Sequence, residues 1–260
     1  MVDSPDADRD PEERAARRSV LLLAFGVVVV LVGAGMLAFA QHRHDRVARG
    51  SDVIANPAIG ATAGDIGPAV NADVGSYVTS RQQALSTASG TRLAVASLAR
   101  YVTEAEARRA VAPLEVVGVV AAAPGGLPSV VRGSLADWAK TQRADAKKDF
   151  DDVHTLVCSK TVDDADFRTF YDTEQQRLLA LQGADASQPV VFAVVVRAPA
   201  DRLRALAGAS GIRLVDVGAG DRFDPASAYR ALRPEEVAVA GQPTAYRSFT
   251  GSRAVPACAK

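Results

Sequence analysis

The densest cluster of chemically capable groups in this sequence is Asp151-Asp152-Val153-His154-Thr155-Leu156-Val157-Cys158, with Asp163, Asp164 and Asp166 just beyond it. Four residues apart on a helix, His154 and Cys158 share a face and could offer an imidazole and a thiol to one metal ion. A metal centre needs three or four ligands, and spacing marks no third. The aspartates are explained as charges complementing a helix N-terminus. The sequence therefore predicts no metal site and no cofactor.

Gly218-Ala219-Gly220-Asp221 follows an apolar run, where phosphate-binding turns occur. Its continuation, Arg222-Phe223-Asp224-Pro225, lacks both the third glycine and an immediate helix, so a plain turn is expected. There is no Gly-x-Ser-x-Gly, no Ser-x-x-Lys and no His-Glu-x-x-His. His42 and His44 adjoin a long apolar segment, which leaves His154 as the one conventional base in the main body. Nothing selects a catalytic pair among the 30 acids. The expectation is a non-enzymatic protein without catalytic residues.

Cys158 and Cys258 are the only cysteines. In an oxidising compartment they can close a loop of about 100 residues, for which the chain-entropy treatment gives at most about 4.7 kcal/mol. Spacing alone leaves open the alternative of two unrelated thiols. With no Cys-x-x-Cys and no cysteine-histidine cluster of finger spacing, a zinc finger or thioredoxin-like motif is not supported.

The residues that must position these groups fall into a clear order. Val20 to Ala40 carries no charge and, as a helix, reaches about 31 Å, enough to cross a bilayer's hydrocarbon core. Residues 1–19 are read as a cytoplasmic tail. Arg9, Arg14, Arg17 and Arg18 precede the run and Arg43, Arg46 and Arg49 follow it, which by the positive-inside rule weakly favours a cytoplasmic N-terminus. Ala38-Phe39-Ala40 fits a signal-peptide cleavage pattern, but signal cores span about 7 to 15 residues, so an uncleaved anchor is expected. Gly26, Gly33 and Ala40 form a small-residue stripe that would permit close pairing of two anchors, and hence a homodimer. Residues 41–75, rich in Ala, Gly, Pro and Asp, are read as a flexible linker of about 30 Å root-mean-square span.

An extracytoplasmic domain is expected over 76–260. Ser76 to Ala88 reads as a short helix. Leu93 to Leu98 is an apolar strand, Thr103-Glu104-Ala105-Glu106 is a capping box, and Leu114 to Val120 is a second strand closed by Pro124-Gly125-Gly126. Val190 to Val196, Ala200 to Ala209 and Ile212 to Val217 repeat the β-α-β pattern. Placing Leu93 over Val191 also aligns Leu98 with Val196 and Val117 with Val215. Between the units, about 133–183, two amphipathic segments suggest an α-hairpin. The first puts Leu135, Trp138, Ala139, Gln142, Ala146, Phe150, Val153 and Val157 on one face; the second carries Phe167, Phe170, Tyr171, Leu178 and Leu181. The fold expected is α+β: an N-terminal transmembrane helix, then a ferredoxin-like βαβ, α-hairpin insertion and βαβ. The first and third strands would be central, with two helices on one face and the hairpin on the other.

This layout, with Ser97-Leu98-Ala99-Arg100-Tyr101-Val102-Thr103-Glu104-Ala105 and Ala231-Leu232-Arg233-Pro234-Glu235-Glu236, resembles that of uncharacterised single-pass envelope proteins of actinobacteria. The resemblance implies an extracytoplasmic α/β domain on a membrane tether and carries over no catalytic residues. A fainter similarity is to the outer parts of anti-sigma-type regulators. With 30 basic and 30 acidic residues, the balance argues against nucleic acid as a partner. The expected partners are the bilayer, through Val20 to Ala40, and an envelope protein or cell-wall component met by the domain, for instance by strand addition. A transmembrane sensor and an exported hydrolase using His154 are the alternative readings.

Overall fold

The computed structural model describes residues 53–55, 64–159, 165–241, 246–249 and 253–258, all within one unit spanning Ser51–Lys260. In chain order the elements are β1 (Val53–Ala55), α1 (Val74–Thr87), β2 (Thr91–Val102), α2 (Glu104–Ala110), β3 (Glu115–Ala121), β4 (Ser129–Val131) and α3 (Leu135–Cys158). There follow α4 (Ala165–Leu181), β5 (Val191–Pro199), α5 (Ala200–Ala207) and β6 (Ile212–Val217). The tail, the apolar run Val20 to Ala40 with Gly26, Gly33 and Ala40, and most of the expected linker lie outside the described residues. Among those described, no helix is long and apolar enough to cross a membrane.

The strands form one antiparallel six-stranded sheet in the order β1-β4-β3-β5-β2-β6. β5 and β2 lie side by side in its middle because they are the most continuously apolar strands. Every residue from Val191 to Val196 is buried, as are Leu93 to Leu98. Each such Val or Leu contributes about 1.5–3 kcal/mol by leaving water, so the centre of the sheet is where the chain gains most.

One face of the sheet carries α2 and α5, which turn Ala107, Leu203 and Leu206 inward. The capping box is present in full: Thr103 Oγ1 accepts from the Glu106 N–H and Glu106 accepts from the Thr103 N–H. The other face differs from expectation. Ile66, Tyr229 and Ala231, with Phe223 beside them, pack on Leu93, Val95, Val120, Val130, Phe192 and Val195. The α-hairpin does not take this position; α3 and α4 pack chiefly on each other. The covering segments are irregular stretches whose apolar residues have neither helical nor strand period, so periodicity could not reveal them.

Three further differences have local causes. Residues 64–75 are not all linker: the N–H of Ile66 donates to Ala228 O and its carbonyl accepts from Arg230, at 2.8 Å each. α1, capped by Asp73, starts at Val74, two residues before the expected Ser76. Gly67 permits the close approach this requires, since at φ +131° a Cβ would sit 2.2 Å from Arg230 O. β4, too short to show a period, extends β3 into a hairpin after Gly125-Gly126. Finally, Leu178 and Leu181 are buried as expected, but Phe167 and Phe170 are 53% and 61% exposed. They belong to the first turns of α4, while the hairpin's packed face is further along.

Candidate functional site

α3 begins at the cap Ser134, whose hydroxyl accepts from the Asp137 N–H, and ends on Cys158. There Cys158 is joined to Cys258 in a disulfide with the two Cα atoms 5.4 Å apart. The C-terminal tail reaches this point along α4. Gln176 donates to Arg253 O at 3.0 Å and accepts from the Arg253 N–H at 3.1 Å. The tail is thus clasped to both helices of the hairpin, by hydrogen bonds to one and a covalent bond to the other.

His154 lies one turn before Cys158, as the four-residue spacing requires. Its Nε2 is 3.6 Å from Cys158 Sγ and its Nδ1 is 3.0 Å from Gln175 Oε1. The Phe150 ring stacks on it, with centroids 5.4 Å apart and planes 11° from parallel. Gln175 is buried, and its amide nitrogen faces the Tyr171 carbonyl at 3.5 Å, which turns Oε1 toward the imidazole. Both ring nitrogens therefore have neighbours, and neither neighbour is a carboxylate. Among the described residues, no acid orients the His154 ring.

A second cluster anchors the chain beyond β6. Arg230, Arg233 and Glu236 are all buried, and Glu236 Oε1 lies 3.2 Å from one guanidinium and 3.1 Å from the other. The same oxygen accepts from the Gly241 N–H at 2.6 Å. Arg230 also donates to Pro68 O and Gly241 O, and Arg213 to Arg233 O and Glu236 O. Removing one member of such a network strands a buried charge, at about 3–5 kcal/mol. The cluster joins the covering segment to the start of the domain and is structural in character.

Asp216 of β6 is a strongly perturbed carboxyl that nothing in the sequence singled out. It is 3% exposed, accepts a hydrogen bond from the Tyr77 hydroxyl and lies 3.7 Å from Arg81. Burial raises its pKa to about 6, against the opposing pull of Tyr77 and Arg81. Burial and the neighbouring Asp216 push the Tyr77 phenol upward in turn. Elsewhere in the domain, Tyr101 donates to Glu235 at 3.1 Å and receives the Arg247 guanidinium over its ring at 3.8 Å. An acid in the apolar run Ile212 to Val217 was the available signal for Asp216; Tyr77 and Arg81 were too distant in sequence to be paired with it.

A cavity of about 400 Å³ lies beside α2, lined by Leu98, Arg100, Val102, Glu106, Arg109, Ala110, Ser210 and Gly211. Its one acid, Glu106, is engaged by the Thr103 N–H and by Arg100 at 3.3 Å, so it is not free to act as a base.

Of the residues singled out from sequence, Cys158 and Cys258 are brought together, with His154 beside them. Gly26, Gly33 and Ala40 lie outside the described residues. Gly218 closes a turn: its N–H donates to Leu93 O at 2.8 Å, and a Cβ there would meet Ile66 at 2.7 Å, which makes it a packing glycine. No known protein family, curated protein or solved structure matches this chain.

Proposed function

We propose that this chain is a single-pass membrane protein of the bacterial cell envelope whose extracytoplasmic domain binds an envelope protein or cell-wall component without transforming it. The observation that carries the reading is the Cys158–Cys258 disulfide. Such bonds persist in oxidising compartments, and this one lies C-terminal to an uncharged run long enough to span a bilayer. The wider chemistry points the same way. The buried ionisable groups around Arg230 and Asp216 are engaged with one another inside the domain, and the carboxylate of the α2 cavity is committed to a helix cap. The strand order β3-β5-β2-β6, with α2 and α5 on one face, supports a ferredoxin-like core carrying an α-hairpin insertion. β6 forms one outer edge of the sheet, the position from which an extended partner segment adds a strand.

Protease added to intact cells tests the location. The domain should be degraded, leaving an N-terminal fragment that sediments with membranes. A full-length chain that survives until lysis would overturn the reading. Crosslinking in cells should then trap a partner on the full chain that is lost when residues 76–260 are removed.

A further inference from the structure

We propose that reduction of the Cys158–Cys258 disulfide exposes a binding site for one thiophilic cation of the zinc or copper(I) class, with His154, Cys158 and Cys258 as its ligands. The donor atoms of these three residues all lie within 4.8 Å of one another, on half-buried to exposed side chains that solutes can reach. The third ligand that the sequence alone did not mark is supplied by the tail.

Two geometric facts favour a metal over a bystander imidazole. Metal–sulfur and metal–nitrogen bonds of about 2.3 and 2.0–2.1 Å at a tetrahedral angle place nitrogen and sulfur ligands about 3.5 Å apart. His154 Nε2 and Cys158 Sγ are already 3.6 Å apart, the separation a shared ion requires, while Nδ1 is 4.0 Å from the same sulfur, so the ring must turn and the two sulfurs must separate. The imidazole is also set in the ligand tautomer. The Gln175 amide nitrogen faces Tyr171 O, so its oxygen faces His154 and the proton belongs on Nδ1. Nε2 then keeps its lone pair for a ligand; with Nδ1 4.0 Å and Nε2 3.6 Å from Cys158 Sγ the sulfur lies beside the ring, and a turn of the imidazole aims that lone pair at the shared ion. A hydrogen bond that fixes the far nitrogen in this way is the usual outer support of a metal-binding histidine.

The redox step is a thiol–disulfide exchange. An external dithiol attacks the disulfide, two electrons and two protons pass to Cys158 and Cys258, and the dithiol leaves as its own disulfide. The cation then displaces the two thiol protons, so binding strengthens as pH rises. Water can fill a fourth position.

The test uses the full chain in detergent, reduced with a phosphine under anaerobic conditions and titrated with Co²⁺ as a spectroscopic stand-in for Zn²⁺. Thiolate-to-cobalt charge-transfer absorption should saturate at one equivalent and be bleached by Zn²⁺, and the oxidised chain should show none. His154→Ala, which leaves both cysteines in place, should weaken Co²⁺ binding at least tenfold. Absence of the band in a reduced chain that keeps its circular dichroism would overturn the proposal, as would a band unchanged by His154→Ala. If reduction itself unfolds the domain, Zn²⁺ must restore a cooperative thermal transition; failure to do so overturns it equally.

Discussion

Asp216 shows how one side chain links burial to pH. Its folded pKa is raised to about 6, so in the window between about 4 and 6 the folded state holds a proton that the unfolded chain has released. Stability therefore falls as pH rises through that window, by about 3 kcal/mol in all, because each pH unit crossed there is worth about 1.4 kcal/mol. Asp216→Asn keeps an acceptor for the Tyr77 hydroxyl and removes the charge. The variant is expected to be more stable than the wild type at pH 7 and to lose the slope between pH 4 and 6 in urea unfolding followed by circular dichroism. Sequence alone placed His154 and Cys158 on one face, because spacing suffices for neighbours on one helix, while the pairing of Cys158 with Cys258 was left open until the fold brought the tail to α3. It could not pair Asp216 with Tyr77 or place Gln175 against His154, since those contacts depend on how separate elements meet.

Elements with strong local codes were the readable ones. The capping box at Thr103, the apolar strands β2 and β5 and the hairpin helices all follow from short-range patterns and occur close to where they were expected. Thr103→Ala removes one side of the capping box and should cost about 1 kcal/mol, seen as a lower urea midpoint with an unchanged slope. What the sequence hid were elements defined by their partners. β4 has only three residues and exists through β3, and Ile66 is held by Ala228 and Arg230 across most of the chain. For the same reason the second sheet face was assigned to the hairpin when it belongs to irregular segments around Ile66 and Tyr229.

At the scale of the whole molecule, the C-terminal chain ties the domain together. Tyr229 and Ala231 seal the sheet, and Arg230, Arg233 and Glu236 fasten the chain near Gly67. Arg247 exchanges backbone hydrogen bonds with Gly125 and Gly126, and Arg253 and Cys258 clasp the hairpin. Cys258→Ser opens the 100-residue loop and should lower stability by about 2–4 kcal/mol, with proteolysis beginning near Arg253. An unchanged urea midpoint would show that the tail adds nothing to the fold.

The central claim is that the domain lies outside the membrane with its two cysteines bonded. Labelling Cys158 and Cys258 in intact cells with a membrane-impermeant maleimide, before and after reduction and read by mass, tests both parts together. The expected result is no label without reductant and two labels after it. Two labels that require lysis but no reductant would place free thiols in the cytoplasm and contradict the claim.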